Sequence, residues 1–278
     1  MSAMIGQSPL RKEDLRLLRG RGQYADDTNE AGQAFAFMVS SVHAHAEIRG
    51  IDASAAKAAD WLADGLGPIP HGLGYSSPPD IALQNRDGTD RFVAPHFPLP
   101  ADRARHVGQP VAMVIAETFS QARDAAELVE VDYLPLDPVI DTDSAADPAS
   151  EVVWPDHGSN IAIDADVNDP AETAAILDGA AHVIRLKTRL SRIAGVPMEP
   201  RSAVGNIDAD GRYILQTTAG GIYRFKTELA TIFGVGEDRV RVVIRDAGGS
   251  YGPRNAMYVE HPLVLWAARR LGRPVKWT

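Results

Sequence analysis

Apolar runs of strand length alternate along this chain with stretches of helical spacing and capping chemistry, and that alternation confines it to a mixed α and β architecture. The run 110–116, Pro-Val-Ala-Met-Val-Ile-Ala, is short enough for a strand, and Thr118-Phe119-Ser120-Gln121 follows it with the spacing of a capping box. This predicts a strand, a helix to about residue 128, and a second, partly polar strand over 129–133, together a β-α-β unit. Upstream, 33–40 reads as a buried strand and the Ala-rich stretch 52–62 as a helix capped by Asp52. Between 65 and 100 the chain is crowded with Pro, Gly, Asp and Asn, which predicts a long surface excursion.

An Asp-, Ala-, Pro- and Ser-rich stretch over 141–159 marks the expected boundary between two units, 1–145 and 146–278. In the second unit Asp169-Pro170 opens a helix that Gly179 ends. Over 181–190, Ile184, Leu186 and Leu190 alternate with Arg185, Lys187 and Arg189, the period of a half-exposed strand. Asp210-Gly211 supplies turn chemistry for a hairpin between 203–207 and 213–217. Ile222, Phe225, Leu229 and Ile232 keep helical spacing, and Gly234 suits a left-handed stop. A strand over 239–245, a helix over 256–271 stopped by Gly272, and a strand over 275–278 complete the reading.

A net charge of -9 argues against nucleic acid, whose binding leans on clustered Lys and Arg. With no cysteine the chain can form no disulfide and can hold no thiolate-ligated iron–sulfur cluster. No stretch approaches the roughly 18 apolar residues of a membrane span, and residues 1–10 lack a signal-peptide pattern, so the cytoplasm is the expected compartment.

Two glycine-rich loops are the candidate binding elements. Ala247-Gly248-Gly249-Ser250-Tyr251-Gly252 lies between a predicted strand and a predicted helix, where backbone N–H groups and a helix dipole favour an anionic or oxo ligand. Its spacing matches neither the phosphate loop nor the dinucleotide fingerprint, and on these residues alone a tight turn is an equal reading. Thr217-Thr218-Ala219-Gly220-Gly221 is placed similarly and could face the same ligand, or could simply let the next helix pack closely. Glu199, held between Pro197 and Pro200 with only Met198 intervening, could stand stiffly near a site or form an internal ion pair with Arg201 or another Arg. His43 and His45 read as a packed, hydrogen-bonded pair in preference to metal ligands. Ser250, His261 and Asp246 supply the residue types of a hydrolase triad, but the nucleophile-elbow spacing is absent.

Taken in order, several segments resemble the large subunits of the xanthine oxidase family, in particular aerobic carbon monoxide dehydrogenases and isoquinoline-oxidoreductase-like enzymes. They are the opening 9–27, Ser41-Val-His-Ala-His-Ala46, Val107-Gly-Gln-Pro-Val-Ala112, Ala125-Ala-Glu-Leu-Val-Glu-Val-Asp-Tyr133, Pro197-Met-Glu-Pro-Arg201 and the stretch 266–278. The resemblance covers nearly the whole chain. It implies an α/β-hammerhead domain followed by the first part of a molybdopterin-binding domain, an α+β fold. It also implies molybdopterin, as the cytosine dinucleotide, and water-derived hydroxylation of an electron-poor carbon in an aldehyde or N-heterocycle. Electrons would leave through iron–sulfur and FAD subunits, with neither cofactor on this chain.

In the family's Gly-Gly-x-Phe-Gly loop beside the molybdenum, the matching residues are Gly248, Gly249, Ser250, Tyr251 and Gly252. The family's metal-contacting glutamine falls at Ala219, beside Gly220 and Gly221, and Ala219 cannot donate that hydrogen bond. Asn255 stands where xanthine-type enzymes carry a glutamate, which argues against xanthine as substrate and leaves Tyr251, Asn255 and Glu199 as the candidate pocket residues. At Ala58-Ala59-Asp60 relatives insert a turn and a strand that this chain lacks. No residue matches the family's general-base glutamate, and no side chain matches a direct metal ligand. The expectation is therefore an enzyme half that needs a second molybdopterin-domain polypeptide, with a non-catalytic scaffold as the alternative.

Overall fold

In the computed structural model, residues 6, 8, 10–56, 84–166, 168–191 and 193–278 are described. The strands are β1 (Ala34–Ser40), β2 (Ala46–Asp52), β3 (Arg103–Ala104), β4 (Pro110–Ala116), β5 (Glu130–Pro135), β6 (Ala203–Ile207), β7 (Tyr213–Thr217), β8 (Val240–Val243) and β9 (Val275–Trp277). The helices are α1 (Asp14–Leu18), α2 (Phe119–Ala126), α3 (Thr142–Ala145), α4 (Pro170–Asp178), α5 (Ile222–Phe233) and α6 (Glu260–Leu271).

Two sheets organise these elements: one in the order β4-β1-β9-β6-β7-β8, the other β3-β2-β5. The larger sheet joins β1 and β4, from the first half of the chain, to β9 and β6 from the second. β4 and β5 flank a helix as expected, and Thr118 caps α2 by accepting from the Gln121 amide. They do not form a β-α-β unit, because β4 pairs with β1 and β5 with β2, in different sheets. Burial explains the separation. Val111 to Val114 are all buried, as a strand covered on both faces requires, whereas β5 buries no residue fully and exposes Glu130, Asp132 and Pro135, which suits a sheet with one wet face.

Over 181–190 the alternation is present but no strand forms. Lys187 and Arg189 are tied to Asp143 and Asp141 at 3.0 and 2.5 Å, and no neighbouring strand pairs with the segment, so Ile184 and Leu190 stay more than nine-tenths exposed. Asp52 likewise ends a strand instead of capping a helix, its carboxylate accepting from the Ser54 amide at 2.8 Å. The remainder of the expected 52–62 helix, like Ala58-Ala59-Asp60, lies outside the described residues. Of the 65–100 excursion, residues 84–100 are described and show one isolated bridge, Gln84 to Asp90.

α5 and α6 cover the β6–β9 part of the larger sheet. Phe225, Leu229, Ile232, Leu263, Leu265, Leu215 and Val275 are fully buried there, each stabilising by about 1.5–3 kcal/mol relative to exposure. Gly234 and Gly272 end the two helices at φ 62° and 65°, left-handed positions that glycine occupies without steric cost.

β6 and α6 approach so closely that a Cβ at Gly205 would stand 2.6 Å from the Val264 carbonyl. Backbone cannot yield as a side chain can. Gly205→Ala is therefore expected to destabilise the protein by about 1–3 kcal/mol through overpacking, read as a lower urea midpoint at unchanged m-value.

Candidate functional site

β7 and β8 run parallel, Leu215 opposite Val242, so the loops that follow them leave the sheet at the same end. The first loop follows Thr217 and ends at Gly221, which caps α5 without a side chain, so no N-cap side chain satisfies the first amides of the helix. Thr217 is anchored from below. Its Oγ1 donates to the Ser202 carbonyl at 2.8 Å and lies 3.1 Å from His261 Nε2, while His261 Nδ1 accepts from the Tyr258 amide at 3.1 Å. Since Nδ1 accepts, Nε2 holds the proton and donates to Thr217. Burial, aided by the charge on Arg201, lowers the His261 pKa to about 3, so the ring is neutral.

The second loop follows β8. Asp246 is clamped by Arg16 through two bonds of 2.6 and 2.5 Å and accepts from the Gln23 amide, interactions that lower its carboxyl to about 2. Beyond it Gly249 and Gly252 take φ 111° and 91°, and Tyr251 takes φ 50° with its ring three-quarters exposed. α6 does not begin at 256 as expected. A 3-10 turn over Pro253–Asn255 intervenes, the Tyr258 amide is spent on His261, and the helix starts at Glu260, so only the first loop sits on a helix N-terminus.

Between the loops lies Glu199, 7% exposed. Its Oε1 accepts from Thr218 Oγ1 (2.5 Å) and the Ala25 amide (3.1 Å); its Oε2 accepts from the Gly248 amide (2.7 Å) and Arg254 Nη1 (2.6 Å). Arg254 Nη2 also donates to the Glu199 and Pro200 carbonyls. Desolvation pushes the Glu199 carboxyl upward, but the bonds from Thr218, Gly248, Ala25 and Arg254 outweigh it and hold the group below the ordinary carboxylate range.

The loops also touch directly, through the Gly220 amide donating to the Arg254 carbonyl at 2.7 Å. A Cβ at Gly248 would strike the Glu199 Cβ, so that glycine is required by close approach, whereas a Cβ at Gly220 would meet only the Asn255 side-chain amide, which can swing aside. Ala219 is partly buried against the core. The Gly249 and Ser250 amides, next after the one held by Glu199, meet no acceptor among the described residues. Glycine-walled backbone with uncommitted donors is a cradle for an oxygen-rich or anionic group, and the fit to such a group is good.

Known proteins share this fold. The molybdopterin cofactor-binding domain family matches residues 153–278, and the α/β hammerhead domain of aldehyde oxidase and xanthine dehydrogenase matches 19–137. The 6-hydroxypseudooxynicotine dehydrogenase complex subunit gamma of Paenarthrobacter nicotinovorans is 34% identical, over 99% of this chain and 34% of its own length. The chain belongs to the xanthine oxidase family of molybdenum hydroxylases. The carbon monoxide dehydrogenase large chain of Afipia carboxidovorans is 30% identical over 98% of this chain and 34% of its own length. Quinoline 2-oxidoreductase from Pseudomonas putida 86 superposes with TM-score 0.83 at 28% identity, covering all of this chain and 35% of that one. The chain thus spans about a third of the length of the relatives it matches. Its fold is the hammerhead domain followed by molybdopterin-domain structure.

The sequence-derived site residues fall into two groups. Gly248, Gly249, Ser250, Gly252, Ala219, Gly220, Gly221 and Asn255 converge at one end of the sheet, with the Tyr251 ring on its outside. Glu199 lies beneath them with every acceptor position engaged, paired with Arg254 in place of Arg201, which instead meets Glu260 at 3.3 Å and covers the Tyr258 ring. No triad assembles, since His261 serves Thr217 and Asp246 serves Arg16. His45 is buried, with Nδ1 3.0 Å from the Asp137 carbonyl, and His43 packs edge-on to Tyr133. Among the described residues no cluster of three metal-binding side chains occurs, and no helix is long and apolar enough to cross a membrane. No local pattern in the sequence singles out Arg254 or Thr218 as an individual side chain. A carboxylate stiffened by two prolines demands a cation, but 28 Lys and Arg residues leave its identity open.

Because folded His261 refuses a proton that the unfolded chain accepts near pH 6.5, stability falls as pH drops from 6.5 toward 3. His261→Asn is expected to flatten that dependence by up to about 1.4 kcal/mol per pH unit, measured by urea unfolding at pH 7, 6 and 5. Burial raises the Glu260 pKa and so acts in the opposite sense, but it does so in both proteins and cancels in the difference. Parallel stability profiles would refute the neutral-histidine assignment.

Proposed function

We propose that this chain forms one wall of a molybdenum-cofactor site in an oxidoreductase that hydroxylates an electron-poor carbon with oxygen from water. The observation that carries the reading is the pair of parallel-strand loops whose glycines bring the uncommitted Gly249 and Ser250 amides to the end of the sheet beside the N-terminus of α5. In this reading Gly248, Gly249, Ser250, Tyr251 and Gly252, with Ala219, Gly220 and Gly221, hold molybdopterin as the cytosine dinucleotide. When bound, the cofactor supplies the two-electron chemistry. The backbone amides orient it, and the helix dipole of α5 favours its negative charge.

Tyr251 and Asn255 border the substrate space, whose occupant belongs to the aldehyde or N-heterocycle class. Two relatives point toward the latter by name, the dehydrogenase subunit above and nicotine 6-hydroxylase large subunit of the same organism. The general base comes from sequence outside these residues, because Glu199 and Asp246, the carboxylates beside the loops, are fully engaged. A complementary molybdopterin-domain segment and iron–sulfur and FAD subunits, in the cytoplasm, complete the proposed complex. Ala219 favours a second reading, a scaffold that keeps the fold without the metal, because its methyl packs on the core and offers no hydrogen bond.

The test is the purified complex from cells supplied with molybdate. Molybdenum and pterin in proportion to this chain, with dye reduction driven by an N-heterocycle or aldehyde, are expected; an assembled complex devoid of both would establish the scaffold. Gly249→Ala, which forces a Cβ into φ 111°, should lower bound pterin about tenfold while the fold persists, measured as pterin released per protein.

A further inference from the structure

We propose that Glu199 is a positioning residue that couples the two loops, so that the direction of the Gly248 to Ser250 amides is set by the first loop and by the N-terminal segment. The inference rests on the proposed function only in naming the cofactor as what those amides face.

Four donors from three separate stretches of sequence meet one carboxylate: the Ala25 amide, the Thr218 hydroxyl, and the Gly248 amide and Arg254 guanidinium of the second loop. Each oxygen takes two, which uses the acceptor capacity of an ionised carboxylate. Oε1 faces the first loop and the N-terminal segment, Oε2 faces the second loop, and the planar group between them transmits any tilt from one side to the other. The base of this clamp is stiff. Pro197 and Pro200 restrict the backbone on either side, Arg254 holds the Glu199 and Pro200 carbonyls, and both charged side chains are 3% exposed. The N-terminal arm is fixed in turn by Arg16 and Gln23 on Asp246, at the start of the second loop. A carboxylate is specifically required, because an amide in its place would present N–H to donors on one side.

Thr218→Val deletes a single bond in the first loop, and its effect is read in the second. In the assembled protein, Thr218→Val is expected to speed hydrogen exchange of the Gly248 amide about ten- to hundredfold, the range expected for loss of one bond to a charged group. Thr218→Ser restores protection. Glu199→Gln should deprotect Ala25 and Gly248 together, and in molybdenum-loaded protein both Thr218→Val and Glu199→Gln should alter the Mo(V) paramagnetic signal that Thr218→Ser leaves unchanged. Gly248 exchange unaffected by Thr218→Val would overturn the coupling. If Glu199→Gln fails to fold, the Thr218 pair still decides. If the parent protein carries no pterin, the cofactor reading falls, whereas the exchange comparison needs no cofactor and judges the coupling by itself.

Discussion

The buried pair of Glu199 and Arg254 is the interaction on which the loop end of the molecule depends. Removing two charges from water costs several kcal/mol per ion, and their mutual attraction offsets this only where the remaining hydrogen-bonding positions are filled. Here Thr218, Gly248 and Ala25 fill the carboxylate, and two backbone carbonyls engage the guanidinium through Nη2, leaving only its buried Nε without a partner among the described residues. A lone partner would leave an uncompensated buried charge, at a cost of about 3–5 kcal/mol. The pair therefore specifies an arrangement: it is stable only when three distant segments arrive together.

The larger sheet explains how they arrive. β1 and β4 are hydrogen-bonded into the same sheet as β6 to β9, so the hammerhead part and the molybdopterin part share a framework instead of meeting across a linker. Parallel pairing of β7 with β8 then sends both glycine loops out at one end. The close packing of α6 on Gly205 and the neutral His261 beneath Thr217 hold that end from behind. A site formed from loops gains precision in this way, because each loop is anchored at a residue whose own side chain is immobilised.

Much of this was legible in the residues. Hydrophobic period and turn chemistry identify β4, α2, the β6–β7 hairpin, α5 and its left-handed stop, because each is decided by contacts within a few residues. The two glycine loops stand out for the same reason. Pairing across the chain was not legible. Nothing local to 110–135 says that its two strands belong to different sheets, and nothing local to 181–190 says that its alternating pattern lacks a neighbouring strand. Pro197 and Pro200 betray a stiffened Glu199, but the identity of its cation depends on the 3-10 turn that carries Arg254 inward, a turn forced by Gly252 at φ 91° and Pro253.

Ala219 shows why the clamp bears on chemistry. In the family resemblance this position carries a side chain that donates to the metal centre, whereas here the methyl group packs against the core. A site that loses a side-chain donor must orient its cofactor through backbone amides, and a backbone amide points only where its loop points. The direction of the Gly249 and Ser250 amides follows from Gly248, Gly248 is held by Glu199 Oε2, and Glu199 is held by Thr218, one residue before Ala219. In the proposed site, a donor missing at 219 would leave orientation of the cofactor to a bond one residue earlier, and through that bond a buried carboxylate would govern the amides above it.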